Sequence, residues 1–402
     1  MHPSTARAAK VLLFCACMCI NAYTLFSICA LLNVKPGSVK PPVPRQPVVV
    51  ALPPWYDADH RVRHQRRSAW QSVEAARDID RHQNPGNCTS KPFMVLKHSP
   101  SGLGSMVHIA TAYLALAFER DHVLLYASDY AAGWTGGPYC AGKHSLECFF
   151  QPLSRCAPGG RLPPGATSYV VGFNEDVVNK IPKQWHDAFQ RDAATRFEQP
   201  GANRDVGVKY WWRAQAAAYL LRLDATTSDT LKAQRRWLAQ QGAVPLPLPP
   251  GTFSCHVRHS DKSREMQLFD FATYAAAVRR TAEARRISNP HVFVSTEDPR
   301  VVDDALMTFG ARALVVVAYN RTNPQSLGAH MAGGANETLH SLLNLLIAVE
   351  STHFVGQLGS NWNRLLDELR RVWGGETHDG CCTRYVEVGC GQPVCRVDTL
   401  NW

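Results

Sequence analysis

HVFVSTEDPRVVDDALMTFGARALVVV, residues 291–317, decides the reading of the fold. A short apolar run over 291–296 reads as a strand. The segment from about 300 to 309 reads as a helix, and 313–319 as a second strand. Working upstream, residues 252–257 form another strand and about 270–287 a helix. Downstream, a helix over 337–350, a strand over 353–357 and a helix over 361–373 complete the series. This alternation is the pattern of a doubly wound parallel sheet, whose ligands bind at the carboxyl ends of the strands.

Before it lies Leu246-Pro-Leu-Pro-Pro-Gly251, a proline-rich hinge, and before that a second α/β unit. PFMVLKHS is a strand, SGLGS a tight glycine turn, and MVHIATAYLALAFERD a helix with apolar positions Met106, Ile109, Tyr113, Leu116 and Ala117. HVLLYAS is the next strand. Gly102 and Gly104 match the start of a dinucleotide fingerprint, but Val107 stands where its third glycine belongs. A tight turn that lets strand and helix pack explains them equally well. The expected fold class is therefore α/β, with two Rossmann-like domains facing a cleft.

At 402 residues, 45% hydrophobic and 19% charged, the chain has the composition of an ordinary globular protein. Its net charge of +10 favours anionic ligands without choosing among them. Val11 to Val34 holds 24 residues without a charge. As a helix this stretch is about 36 Å long, enough to span a bilayer and too long for the apolar region of a cleaved signal peptide. The expected organisation is a cytosolic tail (1–10), a signal anchor (11–34), a stem (35–88) that is proline-rich at first and has room for a short helix in its charged second part, a first α/β domain (89–250), a second (251–375) and a cysteine-rich tail (376–402).

The folded part would then lie in the secretory lumen, as a single-pass type II protein of the Golgi membrane. Three sequons, at Asn87, Asn320 and Asn336, agree with this. Cysteines 88, 140, 148, 156, 255, 381, 382, 390 and 395 follow the anchor, and disulfides are the default in a lumen. Cys255, inside an apolar strand, is expected to be the buried free thiol. The tail cysteines lack the spacing of a zinc site. A lumenal position makes nucleic acid an improbable partner despite the charge.

The second strand of interest runs into CHVRHSDK, residues 255–262. Alternation sends His256, Arg258 and Ser260 to one side and Val257 and His259 to the other, which argues against a metal held by the two histidines. It suits an anion site in which Arg258 offers a planar fork to a diphosphate, although a solvated polar loop is an equal alternative. In FVGQLGSNWNRLLDELRR, Ser360 precedes a helix with apolar face Trp362, Leu365, Leu366 and Leu369. The start of that helix would attract phosphate, or Ser360 would simply cap it. Glu297 and Asp298 end a neighbouring strand, either at the same cleft edge or as the N-cap and first-turn acids of the next helix.

As a set these motifs resemble the α1,6-fucosyltransferases, the group that includes core fucosyltransferase and bacterial nodulation-factor fucosyltransferase. HVRHSDK (256–262) is similar to the family's H-V-R-R-T-D-K, YWWRAQAAAYLLR (210–222) to its W-W-x-x-Q-x-x-x-Y-L-x-R helix, STEDP to T-D-D-P and GSNWNR (359–364) to S-S-Q-V-C-R. SGLGSMVH is similar to its glycine-rich first turn, and the likeness runs over most of 92–371. The coiled-coil stem and C-terminal SH3 domain of animal core enzymes have no counterpart.

The resemblance implies a GT-B fold and an inverting, metal-independent transfer of fucose from GDP-fucose to a glycan, with no cofactor. It implies that His256 contacts the guanine and that Arg258 and Ser360 hold the diphosphate. Asp261, Lys262, Tyr274, Glu297, Asp298 and Asn361 would line the donor site and reacting centre, and Glu265 is the expected base. Three departures stand out. His259 replaces the family's second arginine, and Glu265 lies one residue earlier than the family's glutamate. Asn344 replaces its guanine-reading aspartate, a mismatch that costs about 1–3 kcal/mol. These departures keep two other readings in play: a glycosyltransferase using another nucleotide sugar, and an inactive membrane-anchored relative that binds a glycan or nucleotide sugar. Acceptor contacts are expected from loops of the first domain such as 133–150.

Overall fold

The structure is a computed structural model that describes residues 71–97, 101–157, 160–172, 174–177, 179–196, 204–242, 244–259, 262–263, 265–316, 333–374 and 385–389. The expected anchor at 11–34, most of the stem, Ser260, Asp261, Asn320 and the tail cysteines 381, 382, 390 and 395 lie outside the described residues. Among the described residues no helix is long and apolar enough to cross a membrane.

The alternation read from 251 onward is present. Strand β4 (Phe253–Val257) leads to a helix at Phe271–Ala284, β5 (Val292–Thr296) to a helix at Pro299–Phe309, and β6 (Ala313–Val315) follows. Helix Gly334–Val349, β7 (His353–Gly356), helix Asn361–Gly374 and β8 (Tyr385–Glu387) complete the lobe. All pairings are parallel, in the order β6-β5-β4-β7-β8. From β4 the chain winds outward through β5 to β6, then returns to place β7 on the other side of β4. The direction of winding therefore reverses between β4 and β7, and the crevice outside their carboxyl ends is a topological switch point.

Period-two alternation explains the burial of this sheet. Phe253, Cys255 and Val257 enter a core with Val292, Val294, Phe271, Tyr274 and Val386, while Phe293 on the opposite face of β5 joins a second core. Cys255 is buried and free, as expected, and burial raises its thiol pKa.

The first lobe holds β1 (Phe93–Leu96), a helix at Leu103–Glu119, β2 (Val123–Tyr126) and β3 (Ser168–Val171), in a parallel sheet of order β2-β1-β3. Helices Lys183–Arg196, Arg204–Leu220 and Ala225–Gln240 follow. The lobe begins earlier than the sequence indicated. Ser72–Gln83, within the stretch assigned to the stem, is a helix whose Ala75 and Ile79 are fully buried. Its Gln83 side chain accepts from Leu124 N and donates to Leu124 O, so it closes onto β2. Disulfides Cys88–Cys156 and Cys140–Cys148 staple this region. In chain order the α-helices among the described residues are α1 (72–83), α2 (103–119), α3 (183–196), α4 (204–220), α5 (225–240), α6 (271–284), α7 (299–309), α8 (334–349) and α9 (361–374).

Helix α9 joins the lobes. It belongs to the second by sequence yet packs on α2 and α4 of the first as well as on α8. Its apolar residues Leu365, Leu366 and Leu369 are buried, and so are Asn363, Arg364, Asp367, Glu368, Arg370 and Arg371. A helix between two lobes has no solvent face, so its polar residues must find partners inside. Arg370 donates to the Ser351 carbonyl (2.8 Å), and Tyr210 of α4 donates to the Asp367 carboxylate.

Candidate active site

Strand alternation delivers His256 and Arg258 to the carboxyl end of β4, while Cys255 and Val257 turn into the core. His256 sits opposite Ser295 in register, and its Nδ1 lies 2.9 Å from Ser295 Oγ. The Arg258 guanidinium donates to Glu297 Oε1, and the same oxygen accepts the His259 backbone N–H at 2.7 Å. Glu297 is only 4% exposed. Burial alone would raise its pKa, but the Arg258 and His256 charges and the Arg258 hydrogen bond outweigh it and hold the carboxyl below its ordinary value.

His259, the departure from the family motif, has a structural post. Its Nε2 donates to the Phe269 carbonyl (2.8 Å) and its Nδ1 lies 3.0 Å from Asp298 Oδ2. Asp298 in turn is the N-cap of α7, accepting from Arg300 N at 3.0 Å and from the Arg300 guanidinium at 2.8 Å. Burial works against its ionisation, yet the Arg300 and His259 bonds hold it at about 2. The two acids of STEDP thus divide the readings open in the sequence: Asp298 caps a helix, and Glu297 orients Arg258.

The turn after β7 is built beside them. A Cβ on Gly356 would lie 2.9 Å from the Asn363 amide nitrogen, so glycine is needed for close approach. Asn363, fully buried, donates to the Gln357 carbonyl (3.0 Å) and reaches the His256 carbonyl at 3.5 Å. Tyr274, whose hydroxyl pKa is raised by burial, donates to Gln357 Oε1 at 2.9 Å. Glu387 of β8 accepts the Leu358 N–H at 3.1 Å, and burial raises its pKa. The Ser360 carbonyl accepts from Arg364 N (3.1 Å) and starts the α9 ladder, and the His256 ring lies 6.5 Å from that of Trp362. The first N–H groups of a helix have no partner within it, and they carry its positive pole.

The glycine turn of the first lobe meets this point. A Cβ on Gly104 would fall 3.1 Å from Asn361 C, Asn361 O and Trp362 N. Gly104 therefore serves the packing of α2 against α9, a helix–helix contact between lobes, where the sequence suggested a strand–helix contact or a phosphate loop. Asn361 Nδ2 donates to Ser105 Oγ at 2.7 Å.

Of the remaining expected residues, Lys262 pairs with Glu265, which is largely exposed. Asn344 lies in α8, a helix that also packs on β4. It is 5% exposed, donates to the His340 carbonyl at 3.2 Å, and has an Oδ1 with no hydrogen-bond partner among the described residues. Among the described residues no group of three or more His, Cys, Asp or Glu side chains could hold a metal ion. Sequence reasoning missed Ser105, Gln357, Asn363 and Glu387. Of these, only Asn363 carried a signal, as a polar residue beside the apolar face of an otherwise legible helix.

No family model matches the chain. The α-(1,6)-fucosyltransferase of Drosophila melanogaster is 26% identical to it over 262 residues, covering 59% of this chain and 38% of that protein. The chain is similar in sequence to an α1,6-fucosyltransferase over that stretch. It thus matches well under half the length of that relative. Among solved structures, fucosyltransferase NodZ from Bradyrhizobium is similar at 15% identity and a TM-score of 0.38, covering 71% of this chain and 94% of that one. An Arabidopsis thaliana FUT1 mutant in complex with GDP is similar at 10% identity and a TM-score of 0.40, covering 81% and 85%.

Proposed function

We propose that the protein is an inverting glycosyltransferase that moves fucose from GDP-fucose to a glycan hydroxyl without a metal ion. The observation that carries this reading is the meeting of three features at the β4/β7 switch point. They are the Arg258 guanidinium fixed by a buried carboxylate, the first turn of α9, and the glycine turn of α2 packed against that turn.

In this reading a GDP leaving group gains negative charge as the C1–O bond of fucose breaks. Arg258 and the first N–H groups of α9, beside Ser360 and Asn361, stabilise that charge because they are fixed before the reaction. Their orientation needs no reorganisation, since Glu297 holds Arg258 while Tyr274, Asn363 and Glu387 brace the 357–360 turn. Asp298 acts one step away, by fixing His259 behind the β4 end. Lys262 and Asp261 keep the donor-site role that the resemblance implies, and Glu265 takes the proton of the acceptor hydroxyl once the acceptor displaces Lys262 from it. His256 and Asn344 are assigned to the base.

Asn344 supports guanine better than its sequence suggests. Its N–H₂ is engaged with His340, so the group left for a ligand is a buried acceptor, which suits one of the guanine donors. The same loss of a carboxylate motivates the second reading, a related enzyme with another nucleotide sugar. The protein is further assigned to the Golgi membrane, anchored by residues 11–34 with its lobes in the lumen. Two disulfides support an oxidising compartment, and endoglycosidase-sensitive mass at the exposed Asn87 checks it.

The test is release of nucleotide from a panel of GDP- and UDP-sugars by the purified full chain, with glycan acceptors and with EDTA throughout. GDP-fucose should be consumed preferentially in EDTA. Preference for a uridine donor would establish the second reading, and tight GDP binding without turnover on any acceptor would mark an inactive binding protein.

A further inference from the structure

His108 lies in the middle of α2 between Val107 and Ile109, in a run that reads as ordinary helix core. Its side chain has no solvent exposure. A polar ring there destabilises the fold unless its nitrogens are hydrogen-bonded. Both find partners on α9, more than 250 residues further along the chain. Nε2 lies 2.9 Å from Glu368 Oε2, and Nδ1 lies 3.3 Å from Asn361 Oδ1.

Asn361 and Glu368 are seven residues apart, two turns along one face of α9, and Ser105 and His108 are three apart on one face of α2. The amide of Asn361 is therefore gripped at both ends from the first lobe, its oxygen by His108 and its nitrogen by Ser105 (2.7 Å). Arg364 adds a contact to the same oxygen at 3.4 Å. The charge of Glu368 is countered from a third helix by Arg213 of α4, whose pKa burial lowers to about 10 while Glu368 partly offsets that. Asn361 is the first residue of α9, so whatever fixes its side chain also fixes the first turn of that helix.

We infer that His108 is a positioning residue for the nucleotide site: through Asn361 it holds the first turn of α9 in register with the glycine turn of the other lobe. The inference rests on the donor-site reading above. His108 itself need not touch the ligand, and Glu368 serves to orient its ring.

Two isosteres separate positioning from core filling, because an asparagine amide nitrogen takes the place of histidine Nδ1 and a glutamine amide nitrogen that of Nε2. His108→Gln keeps the Glu368 contact and releases Asn361, while His108→Asn does the reverse. The readouts are GDP affinity by calorimetry and Tm, on the full chain. The loss of one hydrogen bond to a fixed group predicts a rise in GDP Kd of about fivefold for His108→Gln. A smaller rise is expected for His108→Asn, although Tm falls in both. Equal Kd changes in the two variants, or an unchanged Kd in His108→Gln, would overturn the inference.

Should His108→Gln not fold, Ser105→Ala loosens the same amide from its other end. A GDP Kd raised by about threefold is then expected, and an unchanged one overturns the inference. Wild-type protein without GDP affinity would instead remove the donor-site reading itself, and it shows before any variant is made.

Discussion

The carboxyl ends of the two parallel sheets are built differently. Behind β4 and β7 the side chains are polar, paired and at least partly buried: Arg258 with Glu297, His259 with Asp298, and Glu387 on the Leu358 amide. Behind β1 the chain offers glycines, the small Ser105 and one buried histidine, on a helix that is otherwise mostly apolar. The second lobe thus holds the groups that can bind an anion. The first lobe comes close enough, through Gly104, to fix where the α9 end of that site stands. One lobe provides the chemistry and the other provides its placement.

The largest effect should come from breaking the charged side. Removing Arg258 takes away a fixed donor to the leaving group, and turnover of GDP-fucose should fall by about 100-fold or more. Arg258→Ala also leaves the buried Glu297 without its partner, so its Tm must be followed together with activity. Full turnover in a folded Arg258→Ala protein would end the division of roles. On the other side, Gly104→Ala places a methyl against backbone atoms of Asn361 and Trp362, which cannot swing aside as a side chain would. A loss of about 1–3 kcal/mol is expected from chemical denaturation, with weaker GDP binding.

A third test addresses the joint between the lobes. Asp367 of α9 is buried against Tyr210, and burial lifts its pKa from 3.8 to about 6 despite the Tyr210 bond and the charges of Arg370 and Arg371. The folded state therefore holds this proton more tightly than the unfolded chain. Its contribution is fully present below about pH 4 and is lost as pH rises to about 6. Wild type should lose stability across that window relative to Asp367→Asn, and parallel profiles would show that the joint does not titrate there. The smallest effect is expected at Gly102, two residues from Gly104. No atom lies within 4 Å of a Cβ placed there, and its φ of −60° suits any residue. Gly102→Ala should leave GDP affinity unchanged and shift stability by less than about 1 kcal/mol. A Gly102→Ala loss as large as that of Gly104→Ala would mean that turn flexibility, and not close approach, sets the glycine requirement.

What the sequence made legible follows from the range of the forces involved. The second sheet was readable because each strand is a short apolar run beside an amphipathic helix, and alternation along β4 then placed His256 and Arg258. Cys255 was readable for the same reason. Helix α1 was legible only as a short helix of the stem, because its segment is charged and buries just Ser72, Ala75, Ile79 and Gln83. Strand β3 sits at a sheet edge with no fully buried residue, and β8 is three residues long. The polar side of α9 resembled a solvated face until a second lobe covered it. His108 was hidden for a different reason. Its partners are on another lobe, and local periodicity has no way to distinguish a histidine in the core from one that holds a distant asparagine.

The decisive property of the site is the grip of Arg258 on a nucleotide diphosphate. The direct measurement is a calorimetric titration of GDP into the full-length wild type and Arg258→Lys, in EDTA. Lysine preserves the charge beside Glu297 and removes only the planar fork. Wild type should bind GDP, and Arg258→Lys should bind it about tenfold or more weaker, the worth of a charge-assisted hydrogen bond. Equal GDP affinity in the two proteins would contradict that grip.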